Sequence, residues 1–169
     1  MRPLITFLFA LLLASLQAGL LRYLGGGAVS ISLVLPCVVY LGLFAGNVEG
    51  AIGAAAVGYL LDLLAGTPKG LMTFLAVGCF LVCRLVAGAV EVRSRTAFAV
   101  LSGLTAFLAG LGALFLTRLV VPAEAAPGGR LVWRLLVEAL LTASVSPLIR
   151  AAMRWLDGLF TREEAGLLR

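Results

Sequence analysis

Four side chains in this sequence sit where chemistry is difficult: Asp62, Arg84, Arg134 and Glu138 interrupt runs that are otherwise apolar. A charge in such surroundings is costly, so each points by default to a partner or a function. Two carboxylates, Asp62 and Glu138, have the types needed for a hydrolytic dyad. However, no second aspartyl motif and no nucleophile–base pair accompanies them. The chain has no histidine, which removes the commonest general base, the Ser-His-Asp and Cys-His constellations and every His-based metal site. Cys37, Cys79 and Cys83 all lie in apolar runs, and Cys79 and Cys83 are spaced C-x3-C rather than C-x-x-C. Small packing residues are expected there, with no disulfide, zinc or other metal, no cofactor and no catalytic residue.

The elements that must position those charges follow from composition. Of the 169 residues, 62% are hydrophobic and 12% charged, with a mean hydropathy of +1.13. Soluble domains carry about 45–50% apolar and about 25% charged residues, so a water-soluble globular enzyme is excluded and a lipid bilayer is the expected solvent. Continuous apolar runs argue against a transmembrane β-barrel, whose strands alternate. A spanning helix takes roughly 20 residues, so the length suits six helices with short loops and no separate soluble domain. The expected fold is an all-α integral membrane protein. It is a single transmembrane domain over residues 1–169, with spans of about 3–22, 28–46, 50–66, 70–90, 96–121 and 131–153.

The first span has signal-peptide features, but Arg2 is its sole basic flank and Leu16 suits cleavage after Ala18 poorly. A retained helix is expected. With the N-terminus inside, Arg2, Arg93, Arg95, Arg154, Arg162 and Arg169 fall on the cytoplasmic side and Arg22, Lys69 and Arg130 on the other. That bias places both termini in the cytoplasm and accounts for the basic pI of 9.7. No basic–aromatic stretch suggests nucleic acid. Trp133 and Trp155 flank the last span, roughly 33 Å apart at helical rise, which is close to one hydrocarbon thickness.

Spacing then assigns faces. Gly50, Ala54, Gly58, Asp62 and Gly66 recur every four residues and form a drifting stripe on one helix face. Small residues there permit close helix approach, and Asp62 on the same stripe should point into protein. The sixth span carries Arg134, Glu138, Thr142, Ser146 and Arg150 at the same spacing. With Arg134 and Glu138 near the end that holds Asp62, a polar cluster of Asp62, Arg134 and Glu138 is expected, joined by Lys69 or Arg118. The alternative is that Arg134 and Glu138 only reach for the interface. Arg84 is expected to snorkel towards headgroups, a backbone carbonyl contact being the competing reading. Ala10, Ala14 and Ala18 in the first span, and Ser102, Ala106 and Gly110 in the fifth, form further rows of small residues suited to packing or partner docking. Pro36 should kink the second span. Gly66-Thr67-Pro68-Lys69-Gly70 is a tight turn that makes the third and fourth spans neighbours.

The run Gly50-x-x-Gly53, then Gly58-Tyr59-Leu60-Leu61-Asp62-Leu63-Leu64-Ala65-Gly66-Thr67-Pro68-Lys69-Gly70-Leu71, resembles the rod shape-determining MreD family of bacterial inner-membrane proteins. The family's Asp, Gly, Pro and Gly fall on Asp62, Gly66, Pro68 and Gly70. Size, six-span layout and the Pro36-bearing second span are also similar. The resemblance implies a multi-pass scaffold of the bacterial inner (cytoplasmic) membrane. Such a scaffold belongs to the cell-elongation machinery, has no known catalysis and associates with the single-span protein MreC. Through MreC it would associate with MreB filaments, RodA and a class B penicillin-binding protein.

The MreD fold resembles the substrate-binding S subunits of energy-coupling factor vitamin importers, which supplies the alternative function. In those subunits an Ala-x-x-x-Ala row on the first helix docks the coupling subunit, and Ala10, Ala14 and Ala18 match it. Against this, a polar recognition pocket needs hydrogen-bonding side chains, and Gln17 and Asn47 are the only side-chain amides. The scaffold reading is preferred, with Asp62, Arg134 and Glu138 setting helix register or contacting a partner, and the Ala row as the favoured docking face.

Overall fold

The structure is a computed structural model that describes residues 2–23, 32–65, 70–89, 94–120 and 130–167. Among them all regular structure is helical. The six helices are α1 (Arg2–Tyr23), α2 (Leu35–Phe44), α3 (Asn47–Ala65), α4 (Leu71–Ala89), α5 (Arg95–Val120) and α6 (Arg130–Leu167). Among the described residues four of them, α3 to α6, contain stretches long and apolar enough to cross a membrane, with shorter apolar stretches at Leu8–Gln17 and Leu35–Phe44.

The bundle is apolar on its outside as well as in its core. Large apolar side chains face outward on every helix, among them Leu12, Phe44, Leu63, Leu85, Phe115 and Leu148. Small and hydroxyl-bearing residues are buried: Ser102, Thr105, Thr142 and Ser146 lie inside with Ala10, Ala54 and Ala139. That distribution suits a bilayer, where close packing rather than escape from water holds helices together. Trp133 and Trp155 are both exposed, as interfacial anchors would be.

α2 lies at the centre, in contact with α3, α4, α5 and α6. Pro36 to Gly42 are all buried, so its burial is on all sides rather than along one stripe. Its ten residues extend only about 15 Å. The expected kink at Pro36 is not there. Residues 32–34 are non-helical and α2 begins at Leu35, which puts Pro36 in the first turn. A first-turn residue has no intrahelical acceptor for its N–H, so proline costs nothing there. The second span is therefore a short helix from Leu35, not one continuous helix across about 28–46.

The proline that does lie inside a helix is Pro147, in α6. Proline leaves the carbonyl four residues earlier without its backbone donor. That carbonyl is Ala143, and the Ser146 hydroxyl donates to it at 2.9 Å. A neighbouring serine thus supplies the missing hydrogen bond, and α6 runs unbroken for 38 residues to Leu167, well past the expected end at 153.

This generates a contrast between two serines two residues apart. Ser146→Ala should lower unfolding stability by about 1 kcal/mol, because it orphans the carbonyl of half-buried Ala143. Ser144→Ala should be near neutral, since the exposed Ser144 hydroxyl only adds a second bond to Leu140 O. In a Pro147→Ala background the Ser146→Ala loss should shrink, as the restored N–H takes over. Denaturation in mixed micelles measures all four variants.

Candidate functional site

The stripe on α3 is buried as its spacing predicts: Gly50, Ala54, Gly58 and Asp62 all face the interior. At Gly58 the backbone of α4 itself comes close. A Cβ at that position would stand 2.5 Å from Thr73 Cα and 2.9 Å from the Met72 carbonyl oxygen, so no larger residue fits without moving the backbone of α4. One helical turn further on, Asp62 reaches across the gap that Gly58 closes. Its Oδ1 accepts from the Met72 N–H at 2.8 Å, and its Oδ2 accepts from the Thr73 N–H at 3.0 Å and from the Thr73 hydroxyl at 2.6 Å. Met72 and Thr73 are the second and third residues of α4, whose N–H groups have no acceptor within the helix. Asp62 is therefore an N-cap delivered from a neighbouring helix, and its negative charge lies at the positive end of the α4 dipole.

Gly70, immediately before α4, has φ +96°, a conformation glycine adopts without the strain a Cβ would bring. Gly66, Pro68 and Lys69 lie outside the described residues, as does the side chain of Arg118.

The expected cluster of Asp62, Arg134 and Glu138 does not form. Both Asp62 oxygens are engaged by α4, and among the described residues Asp62 makes no ion pair with Arg134, which is exposed. A helix N-terminus offers aligned donors at short range, so it competes successfully with a mobile surface guanidinium. Glu138 is half-buried and lines a cavity of about 200 Å³ with Gln17, Ser32, Leu61, Met72 and Ala113 among others. Around that cavity meet the C-terminal halves of α1, α3 and α5 and the N-terminal halves of α2, α4 and α6. The helices thus run alternately in opposite directions.

Gln17 also serves the start of α2, where its Oε1 accepts from the Leu33 N–H at 2.9 Å. At the far end of α2, Arg84 Nη1 donates to the Ala45 carbonyl at 2.9 Å. Ala45 is the C-cap of α2, so Arg84 places a cation at the negative end of that helix. Of the two readings of Arg84, the backbone carbonyl contact is the one the structure shows, in place of the favoured snorkelling.

Among the described residues the most buried cation is Arg150, which the α6 spacing places on the polar stripe without a role of its own. It is 4% exposed and lies 5.4 Å from the Phe44 ring centroid and 5.3 Å from that of Phe98. Its Nη1 donates to the Ser94 carbonyl at 2.7 Å. Ser94 precedes α5, and its Oγ accepts from the Ala97 N–H at 2.9 Å, so Arg150 holds the residue that caps α5. Ser146 and Thr142, one and two turns earlier on the same face, are fully buried. That run of small polar residues ending in Arg150 was the available signal. Arg95 and Arg154 lie close enough to act on Arg150 electrostatically.

The rows of small residues pack within the bundle. Ala10 and Ala14 are buried in the core and α1 lies against α3, so the favoured docking role for the Ala row is corrected. The outward face of α1 carries Leu8, Leu11, Leu12 and Leu16 instead. The Ala18 side chain lies outside the described residues. Ser102 and Ala106 on α5 are likewise buried. Cys37 and Cys83 are buried thiols, and Cys79 is half-buried.

Asp62→Ala should destabilise the bundle by about 3 kcal/mol, the scale of hydrogen bonds to a charged group. Gly58→Ala should cause a comparable loss by forcing α4 away from the carboxylate. The double variant should fall well short of the sum, since both changes break one contact. Arg150→Lys should also be destabilising, because an ammonium replaces a planar cation held between two rings. Unfolding midpoints in a detergent series test each value.

No protein-family model, curated protein or solved structure matches the chain.

Proposed function

We propose that this protein is a non-catalytic, multi-pass scaffold of the bacterial inner membrane, of the MreD type. It would hold an MreC-like single-span protein beside the membrane synthases of cell elongation, RodA and a class B penicillin-binding protein, with MreB reached indirectly. The observation that carries this reading is the role of Asp62. The charged residue at the heart of the Gly58–Gly70 motif is an architectural cap with both oxygens engaged, which is what a scaffold needs and a catalyst does not. Arg84, Arg150 and Ser94 likewise serve helix ends.

Six spans with both termini cytoplasmic complete the proposal. Arg95, Arg150 and Arg154 gather at one end of the bundle, and a basic end is the cytoplasmic one by the positive-inside rule. The leucine face of α1 replaces its Ala row as the favoured partner face.

The second reading is an S subunit of an energy-coupling factor importer, and one observation favours it: the cavity lined by Gln17, Ser32 and Glu138. Its volume of about 200 Å³ falls below the range of roughly 300–1,000 Å³ typical of small-molecule sites, which counts against a vitamin-sized substrate. Ala10 and Ala14 of the row that would dock a coupling subunit are also buried.

Co-expression followed by purification in mild detergent separates the two readings. Recovery with an MreC-like single-span protein is the expected result. Recovery with an ATPase and coupling subunit, and not with MreC, would overturn the scaffold proposal. Because Asp62 acts within the fold, Asp62→Ala should weaken assembly in proportion to its loss of stability. A variant that keeps wild-type stability yet loses MreC would instead assign Asp62 to the interface.

A further inference from the structure

Three guanidiniums gather at one end of the α5–α6 pair. Arg150 is buried and bonded to the Ser94 carbonyl. Arg95 is the next residue along the chain from that carbonyl, and Arg154 lies one turn beyond Arg150 on the same face of α6. Both act on Arg150 electrostatically, and both are exposed. Among the described residues neither Arg95 nor Arg154 forms a hydrogen bond or an ion pair. Arg150 sits beneath them against the Phe44 and Phe98 rings, where it lends charge rather than contact.

Two exposed hydroxyls stand beside this patch. Ser94 Oγ and Thr96 Oγ1 are 3.1 Å apart, and Ser94 Oγ also accepts from the Ala97 N–H. One hydroxyl proton closes the contact between the two oxygens, which leaves the other to donate outward. Two guanidinium forks and a hydroxyl proton present donors without a carboxylate among them. Such a set suits an oxyanion, and a fork meets two oxygens of a phosphate at once.

The surroundings say where that phosphate comes from. Trp155, next to Arg154, is exposed, as a residue at headgroup depth would be. From Thr96 the exposed residues Val100, Leu104 and Leu108 continue along α5 at four-residue spacing, and Leu148 is exposed on α6. Donors at headgroup level, followed by continuous apolar surface, reproduce the layout of a phospholipid. Free phosphate would use the donors alone. A zwitterionic headgroup would bring its own cation among the guanidiniums, whereas an anionic one would not. Basic sites between membrane helices hold anionic headgroups on these terms.

We propose that this end of the bundle binds the phosphate of an anionic phospholipid, with Arg95, Arg154 and the Ser94–Thr96 hydroxyl pair as donors and an acyl chain along Val100 and Leu104. Arg150 is a positioning residue that holds Ser94 and adds charge from beneath. The site requires a bilayer around the bundle and no particular protein partner.

Trp155 is the reporter for the test, in the full chain carrying Trp133→Phe and reconstituted in phosphatidylcholine vesicles. Lipids brominated on the acyl chain quench its fluorescence. Brominated phosphatidylglycerol should occupy the site about tenfold more readily than brominated phosphatidylcholine, and Arg95→Gln or Arg154→Gln should each lower that preference about threefold. Arg134→Gln removes an exposed arginine roughly 30 Å away along α6 and should leave the preference unchanged. Inorganic phosphate in large excess should not displace the lipid. Equal quenching by the two lipids would overturn the site. A loss with Arg134→Gln as large as that with Arg95→Gln would reduce the effect to net charge and overturn it as well. Displacement by inorganic phosphate would overturn the assignment to a lipid. Exposed residues of this kind are replaced with little effect on stability, and the comparison of the two lipids with all arginines in place decides the matter even if a variant does not fold.

Discussion

Everything in this bundle answers one constraint: a backbone polar group inside a bilayer has no water to fall back on. The constraint is sharpest for α2, which is ten residues long and buried on every side. A helix that crosses a membrane brings its frayed ends to the interface, where water caps them. The start of α2 lies among other helices, with Leu33 and Val34 buried, and its C-cap Ala45 is half-buried. Side chains therefore meet them: Gln17 from α1 takes the Leu33 N–H, Pro36 removes a donor altogether, and Arg84 from α4 fills the Ala45 carbonyl. The same logic recurs where α4 begins at Asp62 and where Arg150 holds the capping residue of α5. It recurs within α6, where Ser146 answers for Pro147.

These contacts also dictate which helices are neighbours. A cap delivered by another helix works only if the two backbones approach closely, which links Asp62 to Gly58. The missing side chain at Gly58 brings Met72 and Thr73 within reach, and the carboxylate then fixes α4 in register. Arg150 acts similarly at the opposite end, clasped by Phe44 of α2 and Phe98 of α5 and bonded to Ser94. One polar residue near each end of the bundle thus ties together helices that apolar packing alone would leave free to slide.

Much of this was legible beforehand, and the failures share a cause. Hydropathy and length gave the helical membrane class, and four-residue spacing gave the buried face through Gly50, Ala54, Gly58 and Asp62. Spacing along one helix cannot say what lies opposite, however. Asp62 was matched with Arg134 because opposite charges attract, while the partner that prevailed was uncharged backbone, which no residue type announces. Arg84 was sent to the headgroups for the same reason. Pro36 was read as a kink because the start of α2 is marked by no capping side chain of its own, Val34 being the N-cap. Arg150 had a signal, the buried Thr142–Ser146 run before it, but its aromatic partners come from helices distant in sequence.

The brevity of α2 has a consequence for how the chain comes to be made. Ten residues, about 15 Å, are too few to be taken up by a membrane as an independent span. The groups that complete its ends arrive at different moments of synthesis, Gln17 before it and Arg84 some forty positions after Ala45 on the lengthening polypeptide (|i−j| is 39). Until α4 has emerged, the last carbonyl of α2 has no arginine to meet it. The centre of the protein is therefore finished only after much of its periphery exists.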